Sequence, residues 1–202
     1  WGVFVEFGAK LAQFEEGERQ AGLRFDLGIA CLEHLKNDDG LAFLAEAMRA
    51  EPPHLAAASA LKEAYASRGN WAGIAECLSV SAAHCEKEAR LPVLEELAEL
   101  ASSKLQDTAM CVDAYERIVQ EDEGHVKAIE FLSDHYLTTG VEDKAAEFMD
   151  RRAAFVEEGV DIDDFDVRME LSTFHFQRGQ LLGKVGRIPE AVHALERALE
   201  LN

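Results

Sequence analysis

The chain has 202 residues, 48% of them hydrophobic and 29% charged, a balance that supports a sizeable buried core and excludes the disordered and membrane-spanning classes. Its 39 Asp and Glu against 20 Lys and Arg give a formal charge of −19, a field that repels phosphate backbones and anionic lipid surfaces, so neither nucleic acid nor membrane is an expected partner. The start at Trp1-Gly2-Val3-Phe4 has neither an initiator Met nor the layout of a signal peptide, so the chain reads as cut from something longer.

Taken in order, Phe4, Phe7, Leu11 and Phe14 recur three or four residues apart and predict an amphipathic helix over 3–18, with Gly17 near its end. Residues 1–20 thus form either a capping helix or a partial repeat. A first helical hairpin is expected over 21–54. It has Leu27, Gly28 and Cys31 on one helix, a break at Asn37-Asp38-Asp39-Gly40, Leu44 and Ala47 on the next, and Pro52 as its stop. Gly28 lets the two helices cross closely. The second hairpin, 55–90, carries Leu61, Tyr65, Gly69 and Ala75, with Lys62 where a small residue is expected, so a wider hairpin is predicted there.

The third hairpin, 91–125, lacks a turn glycine and breaks at Gln106-Asp107-Thr108; the fourth, 126–158, restores Leu132, Tyr136 and Gly140. His54 and His125, Leu61 and Leu132, Tyr65 and Tyr136, and Gly69 and Gly140 are each 71 residues apart, so two hairpins form a larger duplicated unit. The last segment, 159–202, opens with the acidic stretch Asp161 to Asp166, whose surplus length predicts a longer loop or a longer helix, and ends in a hairpin broken at Gly186.

In that last hairpin the run Gly179, Leu182, Gly186, Ala191, Leu195, Ala198 resembles the tetratricopeptide repeat, with His175 and Arg178 standing where the family prefers Trp and Leu. The resemblance implies an all-α, right-handed solenoid or superhelix of tandem helix-turn-helix repeats of about 34 residues each. It implies a groove lined by the first helix of each repeat. Carried over, that groove contains Phe25, Ile29 and Leu32, then Ser59 and Glu63, then Glu96 and Leu100, then Lys127, Glu130 and Asp134. The set is apolar and acidic, which suits a protein or peptide partner presenting a basic or basic-amphipathic segment. The positions of a chaperone-tail carboxylate clamp hold Phe25, Ile29, Ala60, Val93 and Leu97, which do not suit it.

Other chemistry is thinly represented. Asp161 to Asp166 lacks the ligand alternation and glycine of a calcium loop and is expected to cap a helix beginning near Asp164. Cys31, Cys77, Cys85 and Cys111 form no CxxC pair and sit in apolar helical patterns, as buried thiols of a reducing, cytoplasmic compartment do. Cys77 and His84 lie two turns apart, too far to hold one tetrahedral ion unaided. No nucleophile elbow or phosphate loop occurs, and no cofactor is implied. The expected function is a noncatalytic protein-interaction scaffold; the alternative is a substrate-recruiting arm of a larger enzyme, and a metal or redox sensor built on Cys77, His84 and Cys85 is a third reading.

Overall fold

The computed structural model describes residues Trp1 to Asn202 and is all-α, with no strand. Its helices are α1 (Gly2–Leu11), α2 (Gly17–Ile29), α3 (Asp39–Met48), α4 (Leu55–Ala66), α5 (Trp71–His84), α6 (Lys87–Leu100), α7 (Thr108–Glu121), α8 (Val126–Thr139), α9 (Glu142–Ala153), α10 (Phe165–Lys184) and α11 (Ile188–Leu201). They fall into two compact units, 1–114 and 115–202, with the division inside α7. Within each unit a helix packs mainly on its neighbours in sequence, α2 on α3, α4 on α5, α8 on α9 and α10 on α11. That pattern of local contacts is the tandem-hairpin, solenoid class of fold.

Three of the hairpins are closed by a glycine placed where two helices touch. In the first, a Cβ on Gly28 would lie 2.6 Å from Leu44 Cγ, and one on Gly40 would lie 2.5 Å from the Gly28 carbonyl oxygen. In the last, a Cβ on Gly179 would meet Leu195 Cγ at 2.6 Å. The second hairpin, expected to be wide because of Lys62, keeps its close approach from the opposite helix: the Tyr65 ring occupies the space a Cβ on Gly73 would need, 2.5 Å away. Around these contacts Leu27, Leu44, Leu61, Leu94 and Leu97 are fully buried in the first unit and Ile118, Ile129, Leu132 and Leu182 in the second. Each such side chain contributes roughly 1.5 to 3 kcal/mol of transfer free energy.

The 71-residue echo has a physical counterpart at the helix ends. His54 and His125 both cap the helix that follows, each Nδ1 accepting from a backbone N–H three residues on, Ala57 and Ala128, at 3.2 Å. Gly69 and Gly140 both turn the chain with left-handed φ of +67° and +73°. The first helices of hairpins one and three share a different ending. α2 and α6 run into π-helical turns, Ala30–Leu35 and Ala101–Leu105, closed by Lys36 and Gln106 at φ of 53° and 54°. The next residue then donates back six positions, Asn37 N to Cys31 O at 2.9 Å and Asp107 N to Ala101 O at 3.1 Å. The first four hairpins therefore alternate between a π-helical and a glycine ending, which is the two-hairpin unit seen as backbone geometry; the fifth again turns at a glycine, Gly186 at φ 81°.

Four sequence expectations are corrected. α1 stops at Leu11, and Gly17, at φ +57°, opens α2 instead of closing α1, because Glu16 before it is extended. The aromatic stripe of α1 points to solvent, since α1 meets α2 through its small residues: Gly8 lies against Leu27, and Ala12 is buried. Pro52 does not end α3, which stops at Met48; His54 N donates to Ala47 O at 3.1 Å and folds the following turn back over the helix end. Cys31, Cys77 and Cys111 are buried, but Cys85 is half-exposed in the extended residue that closes α5. The surplus before the last hairpin is both a turn, 154–164, and a 20-residue α10, capped by Asp164 Oδ1 accepting from Asp166 N and Val167 N.

Candidate functional site

In the first unit the candidate residues lie on α2, α4 and α6. Phe25 stacks on the His54 imidazole, centroids 4.6 Å apart, so the capping histidine also fixes the ring. Phe25, Ile29 and Leu32 are half-buried and pack against the core around Leu44, Leu61 and Cys77. Beside them a cavity of about 570 Å³ is bordered by Trp1, Phe4, Phe25, Ile29, Glu33 and His34, with Trp1 stacked on His34 at 4.0 Å. Glu63 and Ser59 are exposed on α4 and Leu100 is half-buried on α6. Glu96 is exposed but not free, since Lys62 of α4 bridges to it at 2.8 and 3.0 Å. The residue that departs from the repeat pattern thus neutralises one of the predicted acids.

In the second unit Lys127, Glu130 and Asp134 are exposed on α8. Asp134 accepts from Arg152 Nη1 at 2.7 Å, and Arg152 also donates to Ser133 Oγ at 3.1 Å while its guanidinium lies 5.5 Å from the Phe174 ring centroid. These groups form one wall of an open cavity of about 580 Å³ that continues along α10 past Asp166, Met169, Glu170, Thr173 and Gln177. Three carboxylates, Asp134, Asp166 and Glu170, and one guanidinium, Arg152, line it together with the apolar Met169 and Phe174. Such a site favours a cation with an apolar flank. Sequence reasoning placed only Asp134 here. Asp166, Glu170, Thr173 and Gln177 do carry a signal, helical spacing on one face of the last hairpin's first helix, but in the sequence Asp166 reads as part of the acidic capping loop 161–166.

Ionic clusters elsewhere in the second unit explain the departures from the repeat pattern. His175, 5% exposed, sits 2.8 Å from Glu157 Oε1, and Arg197 donates to both Glu157 oxygens at 3.0 and 2.5 Å. Arg178 donates to Asp150 at 2.8 Å, and Arg187 to its other oxygen at 2.5 Å. His175 and Arg178, which replace Trp and Leu, are therefore balanced by Glu157 and Asp150 from the chain before α10. Arg197, then burial opposing it, then His175 set the Glu157 carboxyl, whose net displacement is below the ordinary carboxylate range. Burial pushes the His175 imidazole below its ordinary value despite Glu157. Tyr136 is buried, but its hydroxyl donates to Glu116 at 2.6 Å, and Lys144 bonds to both groups. The Lys144 and Tyr136 hydrogen bonds hold the Glu116 carboxyl low, while burial raises the Tyr136 hydroxyl.

Burial pushes the Cys77 thiol up to about 11, the opposite of what a nucleophilic or metal-binding thiolate requires. His84, by contrast, is exposed. No helix is long and apolar enough to cross a membrane.

No family model and no curated protein matches the chain. Among solved structures it is similar to MamA AMB-1, at 17% identity over 90% of this chain and 91% of that one, with a TM-score of 0.43. It is also similar to YrrB, described as a TPR protein with an unusual peptide-binding site, at 12% identity over 90% and 86% of the two chains and a TM-score of 0.40. A MamA fragment from Desulfovibrio magneticus RS-1 aligns at 16% identity over 90% and 94%, with a TM-score of 0.36.

Proposed function

We propose that the chain is a noncatalytic protein-interaction scaffold that takes a basic or basic-amphipathic segment on the exposed faces of its first helices. The observation that carries this reading is the acidic cavity on α10, where Asp134, Asp166 and Glu170 outnumber Arg152 above Met169 and Phe174. Glu130 and Lys127 extend that face along α8; in the first unit Phe25, Ile29 and Leu100 supply apolar contact and Glu63 an exposed charge, with Glu96 available only in exchange for Lys62. The acids steer association, while burial of apolar side chains holds the complex, because exposed ion pairs contribute only about 0 to 1 kcal/mol each. The displaced ionisations of Cys77, Glu116, Glu157 and His175 are accounted for by burial and by ion pairs within the fold, which supports a noncatalytic role.

The test is selection from a random peptide library on the immobilised chain. Peptides with Lys or Arg next to a large apolar residue are expected, associating faster at low than at high ionic strength. Asp166→Lys with Glu170→Lys should slow that association. Selected peptides without basic residues, or peptides indifferent to the double substitution and to a Glu63, Glu130 and Asp134 reversal, would overturn the proposal.

A further inference from the structure

Between hairpins four and five the chain exposes apolar side chains inside an acidic run. Val160 and Ile162, in the turn 154–164, are exposed, and Phe165, the first residue of α10, is 63% exposed. No large apolar side chain between residues 15 and 198 is more exposed than Phe165. Single exposed apolar residues are ordinary, but three within six positions mark a contact surface. Met169, one turn after Phe165 on the same face of α10, is half-buried and borders the cavity that holds Asp166 and Glu170. Asp166 and Glu170 are themselves one turn apart, so α10 begins with an apolar strip beside an acidic one.

Charge decides what covers the apolar strip. Residues 158–170 hold six acids, Glu158, Asp161, Asp163, Asp164, Asp166 and Glu170, against one base, Arg168. The Arg168 guanidinium lies 5.9 Å from the Phe165 ring centroid, so the ring already carries a cation beside it. Asp164 is committed to capping α10, and Asp161 to its own turn, where it accepts from Asp163 N at 3.0 Å. The carboxylates of Asp166 and Glu170 have no such partner and are open to an incoming cation. A purely apolar cover would take water from these carboxylates and give nothing back, and a second copy of a chain of charge −19 would add like charge. A segment with bases beside a large apolar residue does neither.

We infer that Phe165, with Met169, seats the apolar residue of the bound basic-amphipathic segment, and that this seat sets how long the complex lasts while Asp166 and Glu170 set how fast it forms. The inference rests on the reading of α10 as an acidic docking face and assigns the apolar half of that face. Exposed charges act over a distance and mainly raise the association rate, whereas apolar contact exists only after docking and is read in dissociation. Each half of the face therefore has its own kinetic signature.

Two labelled synthetic peptides test it, one built of Lys and Leu and one of the same length with Ser in place of every Leu, their association and dissociation rates measured on the 202-residue chain. On the parent both should associate at similar rates at low ionic strength, and the Lys/Ser peptide should leave faster. Phe165→Ser should raise the dissociation rate of the Lys/Leu peptide roughly tenfold to a hundredfold and keep its association rate. Phe165→Leu should restore most of the lifetime, and the Lys/Ser peptide should respond to neither change. Val141→Ser, at another exposed apolar residue of the second unit, should leave both peptides unaffected. Circular dichroism verifies that each variant keeps its helix content. Asp166→Lys with Glu170→Lys separates the two readings. If the pair leaves association of both peptides unchanged, the acidic face of α10 fails and the inference with it. If the pair slows association but Phe165→Ser leaves the lifetime of the Lys/Leu peptide as it was, the apolar seat alone is overturned. A parent chain that sediments as a dimer and becomes monomeric in Phe165→Ser overturns the inference too, because the seat then belongs to a second copy.

Discussion

The close approach of helices within a hairpin can be isolated by substituting two glycines of the same helix. Gly22 and Gly28 both lie in α2, and alanine at either gains about 0.5 to 1 kcal/mol of helix propensity. At Gly22 a Cβ meets nothing within 4 Å, so Gly22→Ala should stabilise the first unit by that amount. At Gly28 the new Cβ would lie 2.6 Å from Leu44 Cγ, 2.7 Å from Leu44 Cδ2 and 3.0 Å from the Gly40 carbonyl oxygen. Leu44 is fully buried, so displacing it disturbs its core neighbours; overpacking of this kind costs about 1 to 3 kcal/mol. Propensity cancels in the comparison, so the two variants should differ by about 1 to 3 kcal/mol, which is the packing cost alone. Gly40→Ala should be at least as damaging as Gly28→Ala, because its Cβ would strike backbone, the Gly28 oxygen at 2.5 Å. Both tryptophans, Trp1 and Trp71, lie in the first unit, so tryptophan fluorescence in a urea titration reports that unit's unfolding. If Gly28→Ala shifts the midpoint upward as Gly22→Ala does, with unchanged slope, the hairpin is not closed by glycine and the packing account fails.

Leu61→Ala and Leu132→Ala, fully buried and 71 residues apart, should each cost about 2 to 5 kcal/mol in denaturant titrations of their own units; a loss under 1 kcal/mol at either would show that its surroundings collapse into the cavity. His54→Ala and His125→Ala each remove a helix cap and should cost about 0.5 to 2 kcal/mol, with His54→Asn recovering part of it. Acid should destabilise the second unit in two stages. His175 is held below its ordinary value, so the unfolded chain takes up the proton first and stability falls as the pH drops below about 6.5, a stage that His175→Gln should abolish. Glu157 and Glu116 are also held low, so what they contribute is present above about 4.5 and is lost as the pH falls through their folded values; a pH series of melting temperatures that keeps its first stage in His175→Gln would refute the assignment.

Most of the fold was legible because its determinants are local. Gly28 beside Leu27, Gly140 after Tyr136 and Gly179 before Leu182 mark crossings and turns whose geometry allows few other residues, and the 71-residue echo repeats those marks. What was not legible depended on choices between physically equivalent faces. In α1 either the aromatic or the small side satisfies helical periodicity; contact with Leu27 through Gly8 decided between them, and no spacing rule contains that contact. The π-helical endings were hidden for a related reason. Lys36 and Gln106 adopt a backbone conformation that composition assigns to glycine, held by bonds from Asn37 and Asp107 that reach back six residues.

The candidate site shows the same limit at the level of charge. Counting acids on first helices identified Glu63, Glu96, Glu130 and Asp134 as equals, yet Lys62 spans to Glu96 and Arg152 to Asp134, while Glu63 and Glu130 are exposed on their helices. Both basic partners come from places the repeat pattern did not connect to the acids: one from the preceding first helix, 34 residues earlier, the other from the end of the following second helix. The electrostatic surplus consequently moves along the second unit to Asp166 and Glu170 on the 20-residue α10, which border one cavity with Asp134 and Arg152. Charge on a repeat surface is thus set by pairing between successive hairpins. A basic segment that engages α10 meets Arg152 as well as the acids, and the Arg152–Asp134 pair must then either open or be bridged. Arg152→Gln should accordingly accelerate association of a selected basic peptide at low ionic strength by removing a like charge from the cavity. An unchanged or slower association would mean that the peptide reaches the chain without passing this face.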